Sequence, residues 1–144
     1  MAIDAEEIAR RSAAAMWADD KASPSLGMEI VTVGPGTAVL AMTVREKMVN
    51  GLDVCHGGFI FTLADSACAF ASNSYNQRAL VHSGQIVLLA PASLGMRLIA
   101  RAGERHRGER NGIYDVSVTA ESGEVIAEFR GHVRIVPGTL FEEG

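Results

Sequence analysis

Two groups that acyl chemistry needs stand eight positions apart in residues 50–65, Asn-Gly-Leu-Asp-Val-Cys-His-Gly-Gly-Phe-Ile-Phe-Thr-Leu-Ala-Asp: the glycine pair Gly57-Gly58 and one carboxylate, Asp65. A helix that opens at the glycines leaves its first N–H groups without intrahelical acceptors, and with no side chain in the way a carbonyl oxygen can approach them. The helix dipole favours negative charge at the same place, which suits an oxygen that becomes an oxyanion. Asp65 follows within Phe59 to Ala71, a run that is apolar on nearly every face. Such a helix is wrapped by protein. A carboxylate there is desolvated, and it persists when it is paired, hydrogen-bonded or used in chemistry. As a general base Asp65 would activate water; as a nucleophile it would attack the carbonyl itself. Against both stands a purely structural role, with the carboxylate tied to Thr62 or Ser66.

Eight residues of helix rise roughly 12 Å, too far for one acyl carbon to touch both groups within a chain. If both serve one site, the amide comes from one subunit and the carboxylate from another, which predicts at least a homodimer with shared sites. The segment is short for a bilayer span and is interrupted by Asp65, so no membrane insertion is expected.

The 144 residues suit a single domain, 1–144, with a sizeable core. Hydrophobic residues make up 48% and charged residues 21%, the balance of a folded protein in water. The start, Met-Ala-Ile-Asp-Ala-Glu-Glu, lacks the basic and apolar regions of a signal peptide, so a cytoplasmic location is expected. Cys55 and Cys68 offer neither a disulfide framework nor metal-ligand spacing and read as reduced thiols. A net charge of −4 argues against nucleic-acid binding and requires any anionic ligand to be met by a local basic cluster.

The elements that must position these residues follow from periodicity. Asp4 suits an N-cap, with Ile8, Ala9, Ala13, Met16 and Trp17 near one face of a helix that fades by Asp20. Leu26 to Val33 and Thr37 to Arg45 read as a hairpin around Gly34-Pro35-Gly36. The central helix should end near Asn73, before strands at Val81 to Ala90, Met96 to His106, Ile113 to Glu121 and Glu124 to Val136. Ser122-Gly123 supplies a tight turn and Gly108 to Gly112 a looser one. In the last strand Val125, Ala127, Phe129, Gly131, Val133 and Ile135 alternate with Ile126, Glu128, Arg130, His132 and Arg134, the pattern of a sheet packed on one side. This α+β order predicts one antiparallel sheet curled around a single helix, the arrangement of a hotdog fold. Two such units joined at their sheet edges would bring their central helices together.

Asn50-Gly51, Cys55-His56-Gly57-Gly58, Leu63-Ala64-Asp65, Ala69-Phe70, Asn73-Ser74, Gly112-Ile113-Tyr114-Asp115 and Phe129-Arg130-Gly131 together resemble the phenylacetic acid degradation thioesterases, over almost the whole chain. These are hotdog-fold acyl-CoA hydrolases. The resemblance implies hydrolysis of phenylacetyl-CoA and its ring-hydroxylated forms, no cofactor and no metal, and a homotetramer built from two dimers. It places the oxyanion-side amide at Gly57, beside His56, with Asn50 in the preceding loop. Asp65 of the other subunit becomes the general base or nucleophile. Ser83, on the strand after the helix, falls where relatives carry a small polar residue that positions water.

Each of these positions also has a plainer role. Gly57 and Gly58 would let the loop and helix pack closely, Asn50-Gly51 is an ordinary turn pair, and His56 suits holding the loop through hydrogen bonds as well as acid catalysis. Arg101, Arg105, His106, Arg107 and Arg110 form the densest basic cluster. Of these Arg105, Arg107 and Arg110 are candidates for the CoA phosphates, against the alternative of a solvated hairpin tip. Phe59, Phe61 and Phe70 fit an aromatic acyl pocket or the core. Two other functions use the same fold and residue types: hydration or dehydration of acyl thioesters by His56 and Asp65, and acyl-CoA binding without turnover.

Overall fold

The computed structural model describes residues 3–144. Met1 and Ala2, part of the start read for a leader, lie outside the described residues. Asp4 caps helix α1 (Ala5–Asp19), its side chain accepting the Glu7 N–H at 2.8 Å, and α1 buries Ala9, Ser12 and Ala13. The strand expected from Leu26 starts later. Asp20 accepts hydrogen bonds from the Ser23 amide (3.0 Å) and hydroxyl (2.7 Å), closing a short helix α2 (Ala22–Ser25), and Gly27 at φ 76° then reverses the chain into β1 (Glu29–Gly34). Gly36, at φ 71°, turns β1 into β2 (Thr37–Thr43), and a 3-10 turn at Glu46–Met48 leads toward the central helix α3 (Gly57–Ser72).

After α3 come β3 (Ala79–Leu88), β4 (Arg97–Arg107), β5 (Asn111–Ala120) and β6 (Val125–Ile135). The strands form one antiparallel sheet in the order β1-β2-β4-β5-β6-β3. Leu63, Ala64, Ala67, Cys68 and Ala71 of α3 are packed against the inner sheet residues Leu40, Leu98, Val116, Val118 and Val133. This is the hotdog fold. Because β3 crosses beneath α3 to pair with β6, it becomes an outer edge, and Leu80 (61% exposed), Val87, Leu88 and Leu89 remain exposed along and just beyond it.

The alternation read for the last strand holds from Ala127 onward and fails before it. Val118 pairs with Ala127 but Thr119 pairs with Val125, so Ile126 is bulged out of register and buried while Val125 is exposed. The Ile126 carbonyl then accepts the Leu89 and Ala90 amides at 2.8 and 3.2 Å.

Candidate active site

The loop before α3 is fastened at several points. The Asn50 side-chain oxygen accepts the Leu52 and Val54 amides at 2.8 and 3.2 Å, the Cys55 amide donates to Ala92 O at 2.8 Å, and the His56 amide to Met48 O at 2.9 Å. Asn50 thus serves as the turn residue, while its side-chain NH2 makes no hydrogen bond among the described residues. The His56 imidazole is exposed and likewise unpartnered, so within one protomer the backbone, not this side chain, secures the loop.

No side chain of the described residues caps α3. Phe59 N–H bonds His56 O at 3.1 Å, whereas the Gly57 and Gly58 amides meet no acceptor among the described residues. A Cβ at Gly57 would fall 2.5 Å from Leu88 Cδ1, and one at Gly58 would meet nothing within 4 Å. Gly57 therefore does both things weighed in the sequence: it lets β3 close on the helix start and keeps a bare amide there.

Asp65 is half-buried, and burial pushes its carboxyl above the ordinary carboxylate range. The two hydroxyls that would have made it structural are engaged elsewhere: Thr62 Oγ1 donates to Gly58 O at 2.8 Å, and Ser66 Oγ is 3.0 Å from Ser23 Oγ. Asp65 itself forms no hydrogen bond or ion pair with any described residue. One turn on, burial and the Asp65 charge push the Cys68 thiol up to about 12, and burial also raises Cys55, so both free cysteines remain protonated thiols.

Within one protomer Ser83 lies away from the face of the sheet that α3 covers. A bulge at His82 puts Ser83 opposite the exposed His132, while Gly84 pairs with Gly131 on the inner face, its Cα backed by Phe61 and Phe129. Ser83 therefore stands on the outer face of the sheet. Arg107 is engaged within the fold. Its Nη1 donates to Ser72 O (3.0 Å) and Tyr114 Oη (3.1 Å), and its guanidinium lies 4.4 Å from the Tyr75 ring centroid. Those contacts occupy it at the C-terminal end of α3. Arg105 sits 3.6 Å from Asp115 and is exposed, Arg101 bonds Thr119 at 3.1 Å, and His106 and Arg110 are exposed at the hairpin tip. Phe70 packs on Trp17 at 6.1 Å and Phe61 edge-on to Phe129 at 5.2 Å, so both serve the core.

Sequence reasoning missed the groups that lock the other end of α3. Glu104 Oε1 accepts Tyr114 Oη–H at 2.7 Å and Tyr75 Oη–H at 2.9 Å, and Asn76 takes a left-handed conformation (φ 57°) while nearly buried. The polar run Asn73-Ser74-Tyr75-Asn76-Gln77 after an apolar helix was the available signal, since asparagine is a frequent left-handed cap.

A hotdog sheet around a helix with bare N-terminal amides and an unpartnered carboxylate at mid-length is the frame of an acyl hydrolase. Residues 52–127 match the family model described as the thioesterase superfamily, and the chain belongs to that superfamily. It is 38% identical to the acyl-coenzyme A thioesterase PaaI of Escherichia coli over 92% of this chain and 95% of the relative. The solved structure of the E. coli PaaI protein from the phenylacetic acid degradation operon matches with a TM-score of 0.92 at 37% identity, over 94% of this chain and 99% of that one. A point mutant of the phenylacetic acid degradation protein PaaI from Thermus thermophilus matches at 0.78 with 36% identity, over 81% of this chain and 100% of that one. The chain is an acyl-CoA thioesterase, similar in sequence and fold to the PaaI proteins. No helix among the described residues is long and apolar enough to cross a membrane.

Proposed function

We propose that the chain, acting as a single unit over residues 1–144, hydrolyses phenylacetyl-CoA and ring-hydroxylated phenylacetyl-CoA to the free acid and CoA. Its setting is cytoplasmic aromatic-acid catabolism. The substrate class is supported by similarity to the E. coli protein of the phenylacetic acid degradation operon. The observation that carries the chemistry is Asp65: a half-buried carboxylate with a raised pKa and no partner among the described residues, on a helix whose first amides are bare.

Those two groups are separated by about 12 Å along the helix, so the site forms between subunits. The exposed apolar edge at β3 supports a homodimer joined there, and two dimers pair into a tetramer. In the shared site the partner's Gly57 donates its amide to the thioester oxygen. Asp65 takes a proton from water, whose oxygen attacks the carbonyl carbon, and the negative charge that develops on the carbonyl oxygen is held by that amide and the helix dipole. The intermediate collapses, the C–S bond breaks, and the proton held by Asp65 passes to the departing CoA thiolate. Direct attack by Asp65, giving an anhydride that water opens, has the same balance and the same residues.

Asn50, whose NH2 is unspent, orients the carbonyl or the water; His56, through its backbone bonds to Met48 O and Phe59 N–H, and Gly58 support the loop and helix start. Ser83 has no part in this account. Arg105 and Arg110 remain as candidates for the CoA phosphates, Arg107 being committed to the fold.

Free-thiol release from phenylacetyl-CoA, its hydroxylated analogues and straight-chain acyl-CoAs tests the reading, after subtracting the signal of Cys55 and Cys68. Aromatic-selective release lost in Asp65→Ala supports it. Hydration of crotonyl-CoA without CoA release, or tight binding with no turnover, would overturn it.

A further inference from the structure

A cavity of about 510 Å³ lies between α1, the C-terminal half of α3, the start of β3 and the C-terminal tail. Its apolar walls are Met16, Ala69, Leu80, Val81, Val136 and Leu140, with Asp19, Asp20 and Arg78 around it. Two of its lining residues, Ala69 and Asn73, follow Asp65 at i+4 and i+8, so they continue the helix face that carries the carboxylate. Ala69 is about 6 Å and Asn73 about 12 Å further along the axis. The far end is closed by Asn73, whose side chain is spent on Ala69 O (2.9 Å), Ala79 O (3.0 Å) and the Ala79 amide (2.9 Å). Asn73 thus presents a spent side chain at that end, and the apolar walls suit an apolar group.

The outer wall is held in place by Asn76. This residue is 4% exposed and adopts φ 57°. Its Oδ1 accepts the amides of Leu140 (2.9 Å) and Phe141 (3.0 Å), its Nδ2 donates to Phe141 O (2.9 Å) and Glu143 (3.0 Å), and its own amide donates to Ser12 Oγ (3.1 Å). Arg78 adds a bond to Thr139 O at 3.0 Å, and Gln77 one to Val136 O. A segment outside the sheet would fray without such ties. Here the hydrogen bonds of one buried asparagine present Leu140 to the cavity beside Met16 of α1.

We propose that this cavity is the acyl-selectivity pocket of the thioesterase, that the acyl group runs from Asp65 along α3 into it, and that Leu140, positioned by Asn76, sets the size of group admitted. The inference rests on the thioesterase reading above. An aromatic or medium-length apolar acyl group suits the walls, and Met16, unbranched and flexible, adapts to its shape.

The test is the profile of kcat/KM over acetyl-, phenylacetyl- and decanoyl-CoA for wild type, Leu140→Trp, Leu140→Ala, Asn76→Ala and Asn76→Asp. Leu140→Trp lowers the phenylacetyl-to-acetyl ratio about tenfold or more, the range a filled hydrophobic pocket commands. Leu140→Ala raises the decanoyl-to-phenylacetyl ratio, and Asn76→Ala moves it in the same direction by releasing the wall. Asn76→Asp keeps the acceptor for Leu140 and Phe141 and brings the ratio back toward wild type. Ratios unchanged within about twofold, or all substrates lowered alike, overturn the pocket while leaving hydrolysis standing. A wild-type protein that releases thiol from none of the three overturns the thioesterase reading and this inference with it.

Discussion

At its start α3 presents Gly57 and Gly58 with no capping side chain and no acceptor for their amides among the described residues, whereas at its end the carbonyls are heavily subscribed. Ala69 O receives the amide and side chain of Asn73 and the hydroxyl of Ser72, Ala71 O receives Ser74, and Ser72 O receives Arg107. Ser74 Oγ further accepts the Gly36 amide at 2.8 Å, tying the helix end to the β1–β2 turn. The contrast separates tasks: the closed end holds the helix on the sheet, and the open end leaves donors available for a substrate oxygen. Asp65, midway, belongs with the open end, since both hydroxyls near it are turned elsewhere.

The largest break in this contrast comes from Asp65→Asn, which keeps shape and removes the base; kcat should fall by about 10²- to 10⁴-fold, read by thiol release. Next is Gly57→Pro. Proline is tolerated at the first helical position, and His56 at φ −59°, ψ 136° already has the backbone a following proline requires, so the helix forms without its donor. A loss of about 10²- to 10³-fold in kcat is expected. Gly57→Ala, which crowds Leu88 equally but keeps the N–H, should lose much less.

At the closed end the effect should move from rate to stability. Arg107→Ala strips partners from Ser72 O and Tyr114 Oη and should cost about 1–3 kcal/mol in denaturant unfolding, with KM for acyl-CoA little changed. A large rise in KM without loss of stability would return Arg107 to the phosphate site.

The smallest effect is in pH. Burial raises the Asp65 pKa, so the acid limb of kcat/KM should lie above the ordinary carboxylate range. The same shift means that folded protein holds this proton more tightly than unfolded protein. Its stabilising contribution is therefore present at low pH and lost as pH rises through the folded pKa. Asp65→Asn should unfold at a higher temperature than wild type at neutral pH, with the gain shrinking on acidification.

How legible this was depended on whether a residue's partners lie nearby in sequence. The α1 cap at Asp4, the hairpin turns and the apolar α3 are local, and the structure places them where periodicity and turn chemistry put them. The placement of Gly57, Gly58 and Asp65 in the fold was readable because their oddity is local too: glycines at a helix start, a charge in an apolar run. The placement of Arg107, Ser83 and Ile126 was not. Arg107 is decided by Tyr75, Ser72 and Tyr114, brought together by the sheet, and a basic run cannot show which of its members turns inward. Ser83 and Ile126 are re-aimed by bulges at β3 and β6, where one extra residue shifts the alternation that the sequence pattern relies on. Asn76 acts across more than sixty positions on the tail, a distance no local pattern spans.

The central claim is that the amide and the carboxylate of one site come from different subunits. It is tested by refolding an equimolar mixture of Asp65→Asn and Gly57→Pro and assaying thiol release. Each variant alone is nearly inactive, but a mixed dimer carries one site with both groups intact, so about a quarter of wild-type activity should return. Activity no greater than the average of the two separate variants, with mixed dimers shown to have formed, would contradict the shared site.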